Sequence, residues 1–442
     1  MAERSNTIVR SRGRGMARAA ATTLGARLVA RAALVLFVVA LARLLPVQQY
    51  GRYAYLIALA VTVSMLSDTG VSLASGREIA RGKLSCEEAV RRALPVVGAA
   101  TSVAALVVVA LESTAGMRGL DTWGLAMLIG YIGANGTFNL LANVLRSAGA
   151  VGTEAVLQIA SVGVFVGSGI ALAVSTTNVN VVFLAFVAKE AAAAACALAL
   201  VRRLVRRRLP VERVTPRASQ PALVRTGLAL AVGGGLLIAY TRIGLVVLAN
   251  LGDAQATGIY AASSRLLEAG AMLGGTLGFA LAPSLTRLAV ADARRARALA
   301  LRTVVWSAAL AAVAGCAVAL LRQEIVTVVF GRAYLHAAAP LALFAVGLPA
   351  VVAAPLVGQM AVALGRDRSF LLTHVVGLAV AATTLPWLAS HGPSGVAFAT
   401  DAAFSAAALV GVVSLAARRD EAARTRRVLE PASTLPLHSP SS

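Results

Sequence analysis

The chain of 442 residues is 58% hydrophobic and only 14% charged, with a mean hydropathy of +0.79. A soluble domain carries about a quarter charged residues, so this composition excludes an ordinary soluble protein. The formal charge of +22 comes from Lys and Arg in short clusters between apolar runs. That distribution is typical of membrane orientation and argues against a nucleic-acid partner.

Apolar segments follow one another along almost the whole chain. A hydrocarbon layer about 30 Å thick needs about 20 apolar residues per helix. We therefore predict an all-α polytopic membrane protein with about twelve transmembrane helices. The predicted spans are residues 20–45, 53–74, 93–112, 122–145, 154–174, 179–201, 224–249, 256–283, 302–321, 338–364, 369–389 and 394–417.

The basic residues are distributed unevenly between the two sides that these spans define. With a cytoplasmic N-terminus, the predicted inner segments hold 31 Lys and Arg residues, including Arg225 and Arg302 at the span ends, and the outer segments hold 5, including Arg43 at a span end. Cytoplasmic loops of membrane proteins are enriched in Lys and Arg. The bias predicts a multi-pass protein of the plasma (inner) membrane with both termini in the cytoplasm.

This topology gives a first testable prediction. A reporter fused after Arg208 is expected to be active in the cytoplasm, and one fused near Asp253 is expected to lie outside, because the basic bias assigns these positions to opposite faces. Fusion assays with a cytoplasm-active and an export-active reporter measure both positions. The reverse pattern would contradict the twelve-span topology.

A polar, proline-containing break near the middle of the chain divides it into two halves. The predicted organisation is a basic cytoplasmic tail, an N-terminal six-helix lobe, a basic cytoplasmic linker, a C-terminal six-helix lobe and a disordered cytoplasmic tail. These parts cover residues 1–19, 20–201, 202–223, 224–417 and 418–442.

The two halves share glycines at corresponding places. A G-x-Y-A element begins at Gly51 after the first span and at Gly258 after the seventh, and Gly149 and Gly365 follow the fourth and tenth spans. This order predicts two copies of a six-helix unit related by an axis along the membrane normal. A Gly before a Tyr at a helix boundary also predicts a tight turn with the ring at the membrane interface, as at Gly51 and Gly258.

Five short motifs resemble the polysaccharide-flippase branch of the multidrug/oligosaccharidyl-lipid/polysaccharide (MOP) exporter superfamily. They are Leu44–Gly51 (LLPVQQYG), Asp68–Gly70 (DTG), Phe330–Tyr334 (FGRAY), Ala363–Arg366 (ALGR) and Gly392–Ala397 (GPSGVA). Their order and spacing cover nearly the whole chain. The resemblance implies two lobes around a cationic central cavity, alternating access, and a lipid-linked saccharide as the substrate.

Ionisable residues within spans are costly unless they face water or a partner, so each is a candidate functional residue. Arg27 and Arg31 share one face of the first span, and Arg265 and Glu268 lie near the middle of the eighth. Guanidinium groups bind phosphate oxygens through paired hydrogen bonds, so these arginines are candidates to bind a diphosphate. Alternatively, Arg27 extends to the inner interface and Glu268 neutralises Arg265.

Lys189 and Glu190 in the sixth span, Arg242 in the seventh and Asp401 in the twelfth form a second group of candidates. Lys189 and Arg242 are further candidates for substrate binding. Glu190, Glu268 and Asp401 are candidates for ion coupling or ion pairing, and one possibility is a pair between Asp401 and either Lys189 or Glu190.

No catalytic constellation is present in the sequence: it lacks a phosphate-binding glycine loop, a nucleophile elbow and a metalloprotease motif. We expect no enzyme activity, no cofactor and no metal site. The leading hypothesis is a transporter that flips a polyprenyl-diphosphate oligosaccharide for cell-surface polysaccharide synthesis. Its partners would be that substrate, membrane lipids and the glycosyltransferases or polymerase of the same pathway. The alternatives are a cation-coupled exporter of small molecules and a non-transporting scaffold for envelope synthesis.

Overall fold

The structure is a computed structural model that describes residues 29–30, 33–67, 71–80, 84–115, 122–176, 178–207 and 220–417. In these ranges the chain is helical and forms no strand. The N-terminal half contains α1 (Ala33–Leu44), α2 (Val47–Ser67), α3 (Val71–Ala80), α4 (Cys86–Ala115), α5 (Thr122–Ser147), α6 (Val151–Ser175) and α7 (Val179–Arg207).

The C-terminal half has the same general plan, with two additional short helical turns. It contains α8 (Gln220–Asn250), α9 (Ala254–Ala291), α10 (Ala293–Leu320), α11 (Arg322–Val329), α12 (Ala338–Ala363), α13 (Asp367–Leu388) and α14 (Gly392–Ala416). A 3₁₀ helix, Arg332–Ala337, precedes α12, and another, Ala389–His391, joins α13 to α14.

Each predicted span corresponds to a helix of the structure. By length and composition, 8 helical segments of the described residues could cross a membrane, or 9 if the bent helix α9 is counted. One of these segments, Asp367–Ala416, contains both α13 and α14. The remaining predicted spans correspond to α1, of which only Ala33–Leu44 forms a described helix, and to α2, which contains Arg52 and several tyrosines.

The outer surface of the bundle is apolar, as expected for a protein surrounded by lipid. Large side chains that a soluble protein would bury are widely exposed, including Trp306, Leu320 and Trp387 at 75%, 80% and 79%. Water would make such a surface unfavourable, whereas hydrocarbon chains solvate it. The exposed side chains occur on both halves of the chain, so both are embedded in the membrane.

The helices pack into two lobes, with α2, α8 and α9 between them. In the N-terminal lobe α5 packs on α7 and α4, and in the C-terminal lobe α12 packs on α9, α10 and α14. Small residues allow close approach: a Cβ on Gly274 would lie 2.0 Å from the Val352 carbonyl oxygen, and one on Gly315 would lie 2.1 Å from that of Ala345. Such small-residue contacts are the usual basis of helix association in membranes.

Gly149 and Gly365, predicted to be equivalent, end their helices with the same turn. Each has a positive φ, 85° and 73° respectively. In each turn the residue after the glycine donates its N–H to the carbonyl five residues earlier, from Ala150 to Leu145 and from Arg366 to Ala361. This 6→1 bond belongs to the Schellman motif, which favours glycine. The matching geometry supports the internal repeat.

Gly51 and Gly258 play a different role from the predicted one. Neither has a positive φ, and they lie inside α2 and α9, so the prediction of a tight turn is wrong. Instead the two helices touch there: a Cβ on Gly51 would lie 2.7 Å from the Gly258 nitrogen, and one on Gly258 would lie 2.2 Å from the Val47 carbonyl oxygen. Two repeat-related residues can touch only near the axis that relates them, so the pseudo-twofold axis passes between these glycines.

Further contacts join the lobes at the same end of the bundle, which the topology assigns to the outside. The Tyr50 ring packs edge-on against Tyr334, with centroids 5.8 Å apart. Arg43 donates hydrogen bonds to the carbonyl oxygens of Val328 and Val329 at the end of α11. The motifs Leu44–Gly51 and Phe330–Tyr334 therefore contact each other across the lobe interface.

Candidate functional site

A group of charged side chains lies where α8 and α9 face the N-terminal lobe. Glu268 accepts from Arg265 Nη1 through Oε2 at 2.7 Å, and its Oε1 lies 3.1 Å from Arg242 Nη2. Both carboxylate oxygens are thus used by two guanidinium groups. The three side chains are partly exposed, at 18–27%. The group carries one net positive charge and can be reached by a ligand.

The depth of this group follows from helix geometry. At a rise of about 1.5 Å per residue, Arg265 and Glu268 lie about 17 and 21 Å along α9 from Ala254. A hydrocarbon layer is about 30 Å thick, so both residues lie near its middle. The alternative in which Glu268 neutralises Arg265 is seen in the structure as an ion pair. The bond between Arg242 and the same carboxylate was not foreseen, because it depends on how α8 and α9 pack.

Two tyrosines of α2 bring the other lobe against Arg265. Tyr50 and Tyr53 are both buried and close enough to Arg265 to interact with its charge. The Tyr50 hydroxyl approaches the Arg265 guanidinium closely enough for a hydrogen bond between the lobes. Arg265 Nε has no well-aligned hydrogen-bond partner among the described residues. Buried polar atoms are normally satisfied, so a polar ligand or water can bind beside this contact.

Lys189 and Glu190 of α7 form the N-terminal part of the site. They are bonded to each other, and Lys189 Nζ lies 4.9 and 5.8 Å from the ring centres of Phe186 and Phe165. Phe186 in turn stacks on Tyr131 of α5. The ammonium group is held by a carboxylate and two aromatic faces, an arrangement that keeps a cation inside an apolar environment.

Tyr131 connects the N-terminal ion pair to α2. Its ring stacks on Phe186, which lies beside Lys189, and its hydroxyl bonds to Ser64 of α2. The N-terminal ion pair is thereby linked to the helix that packs against α8 and α9 of the other lobe. We call Lys189, Glu190, Arg242, Arg265 and Glu268 the charge cluster.

Asp401 is not part of this cluster. The hypothesised pair between Asp401 and Lys189 or Glu190 is not formed, because Lys189 and Glu190 bond to each other and Asp401 lies inside the C-terminal lobe. There α14 packs on α12, and a Cβ on Gly347 would lie 2.3 Å from the Asp401 carboxyl carbon. Oδ1 of Asp401 has no hydrogen-bond partner among the described residues.

The two arginines predicted to act from the first span, Arg27 and Arg31, lie outside the described residues. Their contribution to the site stays a prediction. Other residues around the cluster were not singled out from the sequence. These residues follow one another at four-residue intervals on α5: Tyr131, Asn135, Asn139 and Asn143. Polar residues at this spacing within a predicted span share one face of the helix, and that pattern could have identified them from the sequence.

The chemistry of the cluster suits an anion. Guanidinium groups present N–H donors in a fork that matches the oxygens of phosphate or carboxylate. Glu268 fixes both arginines and cancels only one of their two charges. An anionic group at the lobe interface would be bound through the free N–H groups of these arginines.

Comparison with known proteins assigns the chain to a family. Residues 16–289 match the model of a family described as polysaccharide biosynthesis protein. No curated protein sequence matches the chain.

Solved structures resemble the whole fold. The lipid II flippase MurJ in an inward closed conformation has a TM-score of 0.64 at 13% identity, over 90% of this chain and 87% of that chain. A multidrug resistance MATE family transporter of the MOP superfamily, inward-facing, has a TM-score of 0.61 at 15% identity, over 90% and 96%. The Vibrio cholerae MATE transporter VcmN in the bent form has a TM-score of 0.58 at 16% identity, over 94% and 99%. The chain shares the two-lobed fold of these transporters.

Proposed function

Because the chain belongs to the polysaccharide biosynthesis protein family, we propose that it flips a polyprenyl-diphosphate oligosaccharide across the plasma membrane. The observation that carries this proposal is the C-terminal part of the charge cluster, in which the carboxylate of Glu268 pairs with both Arg242 and Arg265 and leaves one net positive charge. A diphosphate is the anionic part of such a lipid. Guanidinium forks are well suited to bind it.

The charged headgroup causes the main free-energy barrier to flipping. Moving a charged group into an apolar layer without partners costs many kcal/mol, so the diphosphate needs a polar, cationic path. Arg265 and Arg242 would replace the water that the diphosphate loses. Arg27 and Arg31 would add charge from the first span, and the polyprenyl tail would remain in the bilayer through a gap between helices.

Access to the two sides would alternate by rocking of the lobes. The contacts of Gly51 with Gly258, and of Tyr50 with Tyr334, close the outer end of the interface. Loading from the cytoplasm would occur with this end closed. Release outside would require these contacts to separate, so that the charge cluster faces the other side.

Transport of a labelled lipid between the leaflets of vesicles tests the proposal. Purified protein in proteoliposomes is expected to move a fluorescent polyprenyl-diphosphate oligosaccharide at least about tenfold faster than protein-free vesicles, because the cluster lowers the barrier for the diphosphate. Quenching of the outer-leaflet label measures the rate. A polyprenyl-linked saccharide without phosphate is the control, since it gives Arg265 nothing to bind. Equal rates with and without the protein would reject the proposal.

Cation-coupled export of small molecules is the alternative. It is favoured by Asp401, a carboxylate in the C-terminal lobe whose Oδ1 lacks a hydrogen-bond partner among the described residues. Such a group can exchange a proton or bind a cation during transport. Efflux of cationic dyes that is lost in Asp401→Asn, with no flipping of the saccharide lipid, would favour this function instead.

A further inference from the structure

A ridge of three asparagines runs along α5 beside the charge cluster. Asn135, Asn139 and Asn143 follow Tyr131 at intervals of four residues, so each lies about 6 Å further along the helix. Asn135 is about 20 Å from the start of α5 at Thr122, which places it near mid-depth. The ridge then continues toward the predicted cytoplasmic end.

The asparagines are linked along the helix by hydrogen bonds. Asn139 Nδ2 donates to Asn135 Oδ1 at 3.0 Å, and Asn143 Nδ2 donates to the Asn139 carbonyl oxygen at 3.0 Å. Arg146 continues the series, with Nη1 donating to Asn143 Oδ1 at 3.0 Å and Nη2 bonded to Glu154 of α6 at 2.7 Å.

This arrangement does not hold helices together at Asn135 and Asn139. Polar side chains in membrane helices usually stabilise packing by bonding to a neighbouring helix. Here the bonds of Asn135 and Asn139 that the structure describes stay within α5. Both side chains are partly exposed. The amides therefore keep hydrogen-bonding capacity for something that is not another helix.

The ends of the ridge pack against α2 and α3, the helices of the same lobe that contact α8. At its upper end Tyr131 contacts Ser64 of α2. At its lower end Ser147, four residues after Asn143, lies against Gly76 of α3, since a Cβ there would be 2.7 Å from Ser147 Oγ. Both α2 and α3 pack against α8 of the other lobe. The ridge therefore lies one helix away from α8, on the side of the N-terminal lobe where α2 and α3 meet the other lobe.

We propose that Asn135 and Asn139, extended by Asn143, form a subsite for the hydroxyl groups of the saccharide whose diphosphate lies at the charge cluster. This inference rests on the proposed function. An amide both donates and accepts, as a sugar hydroxyl does, and it carries no charge that would compete for the diphosphate. The spacing of about 6 Å along the ridge allows successive sugar units to be contacted in turn.

The test compares lipids with and without sugars. The probes are synthetic polyprenyl diphosphates that carry no sugar, one glucose or three glucoses, in the vesicle assay described above. Asn135→Leu/Asn139→Leu replaces both amides with apolar groups of similar size and should slow the triglucosyl lipid about tenfold, with the sugar-free lipid unchanged. Thr137→Val, which removes a hydroxyl from the other side of α5, should leave all three rates unchanged.

Equal slowing of the sugar-free and triglucosyl lipids, or no slowing of either, would overturn the subsite. If the double variant does not fold, the single variants Asn135→Leu and Asn139→Leu replace it. Each should lower the ratio of the triglucosyl-lipid rate to the sugar-free-lipid rate by about threefold. A second measurement separates the subsite from the proposed function. Purified wild-type protein should bind a water-soluble farnesyl diphosphate triglucoside about tenfold more tightly than the double variant, even if no lipid is flipped, and equal affinities would overturn the subsite.

Discussion

Replacing Arg265 by Gln is expected to lower the flipping rate about thirtyfold or more. Glu268 would then neutralise Arg242 alone, and the cluster of Arg242, Arg265 and Glu268 would change from one net positive charge to none. Removing one member of a hydrogen-bonded charge pair costs about 2 kcal/mol or more, which corresponds to this factor. The rate is measured in vesicles with the labelled polyprenyl-diphosphate oligosaccharide.

Two further variants test whether the effect depends on the guanidinium group of Arg265. Arg265→Lys keeps the charge without the planar fork and should recover only part of the rate. Arg295 forms the same i,i+3 ion pair with Asp292, but its side chain is 82% exposed. Arg295→Gln should therefore leave flipping unchanged, because exposed pairs contribute little.

A purely structural role for Arg265 predicts a different outcome. In that case the double variant Arg265→Gln/Glu268→Gln would be at least as active as the single variant Glu268→Gln, since both leave Arg242 without its carboxylate and the double variant leaves no unpaired Arg265. Binding of the diphosphate by Arg265 predicts that the double variant is at least about tenfold slower than Glu268→Gln. Normal flipping by the single Arg265→Gln variant would reject the cationic site.

Adding one methyl group at Gly51 is expected to hold the outer end of the interface open. The new Cβ would lie 2.3 Å from the Ala254 carbonyl oxygen and 2.7 Å from the Gly258 nitrogen, and backbone atoms cannot rotate away as side chains can. Overpacking of this kind costs about 1–3 kcal/mol, so the population of the closed state should fall by a factor of about 5 to 150. Flipping by Gly51→Ala should fall by about tenfold or more.

Opening of the outer end of the interface can be measured directly by cysteine labelling. Ala54, three residues after Gly51, is buried in the structure. In a background with Cys86, Cys196 and Cys316 replaced, a cysteine at position 54 should react faster with an impermeant maleimide from outside when Gly51→Ala is also present. Gly275→Ala in α9 is the control, because nothing lies within 4 Å of its added Cβ. Unchanged flipping and labelling in Gly51→Ala would show that this contact does not have to form in the transport cycle.

The sequence alone determined the fold class and the positions of the helices. Hydrophobic length and the distribution of Lys and Arg are local properties of the chain, and the bilayer acts on each segment separately. Most predicted spans therefore overlap their helices closely, whereas α4, α7, α9 and α10 extend six to nine residues beyond them at one end. The second span, 53–74, begins six residues after the start of α2 and reaches into α3. The repeat was also visible, since Gly149 and Gly365 form turns whose conformation is set locally.

The sequence determined only part of the candidate site. Arg265 and Glu268 are three residues apart on one helix, so their pairing followed from helical geometry. Depth in the membrane also identified Lys189 and Arg242 as candidates. For Asp401, isolation in sequence suggested a partner in the other lobe, but the carboxylate faces Gly347 of its own lobe.

The contacts between the lobes were decided only by the tertiary structure. Across the interface Tyr50 approaches Arg265 and Gly51 meets Gly258, and within the C-terminal lobe Glu268 bonds to Arg242, because of the rotation of α2, α8 and α9 about their axes. In a lipid environment apolar residues are tolerated on every face of a helix, so hydropathy does not fix that rotation. It is set by the close packing of small residues and by the partners that buried polar groups find.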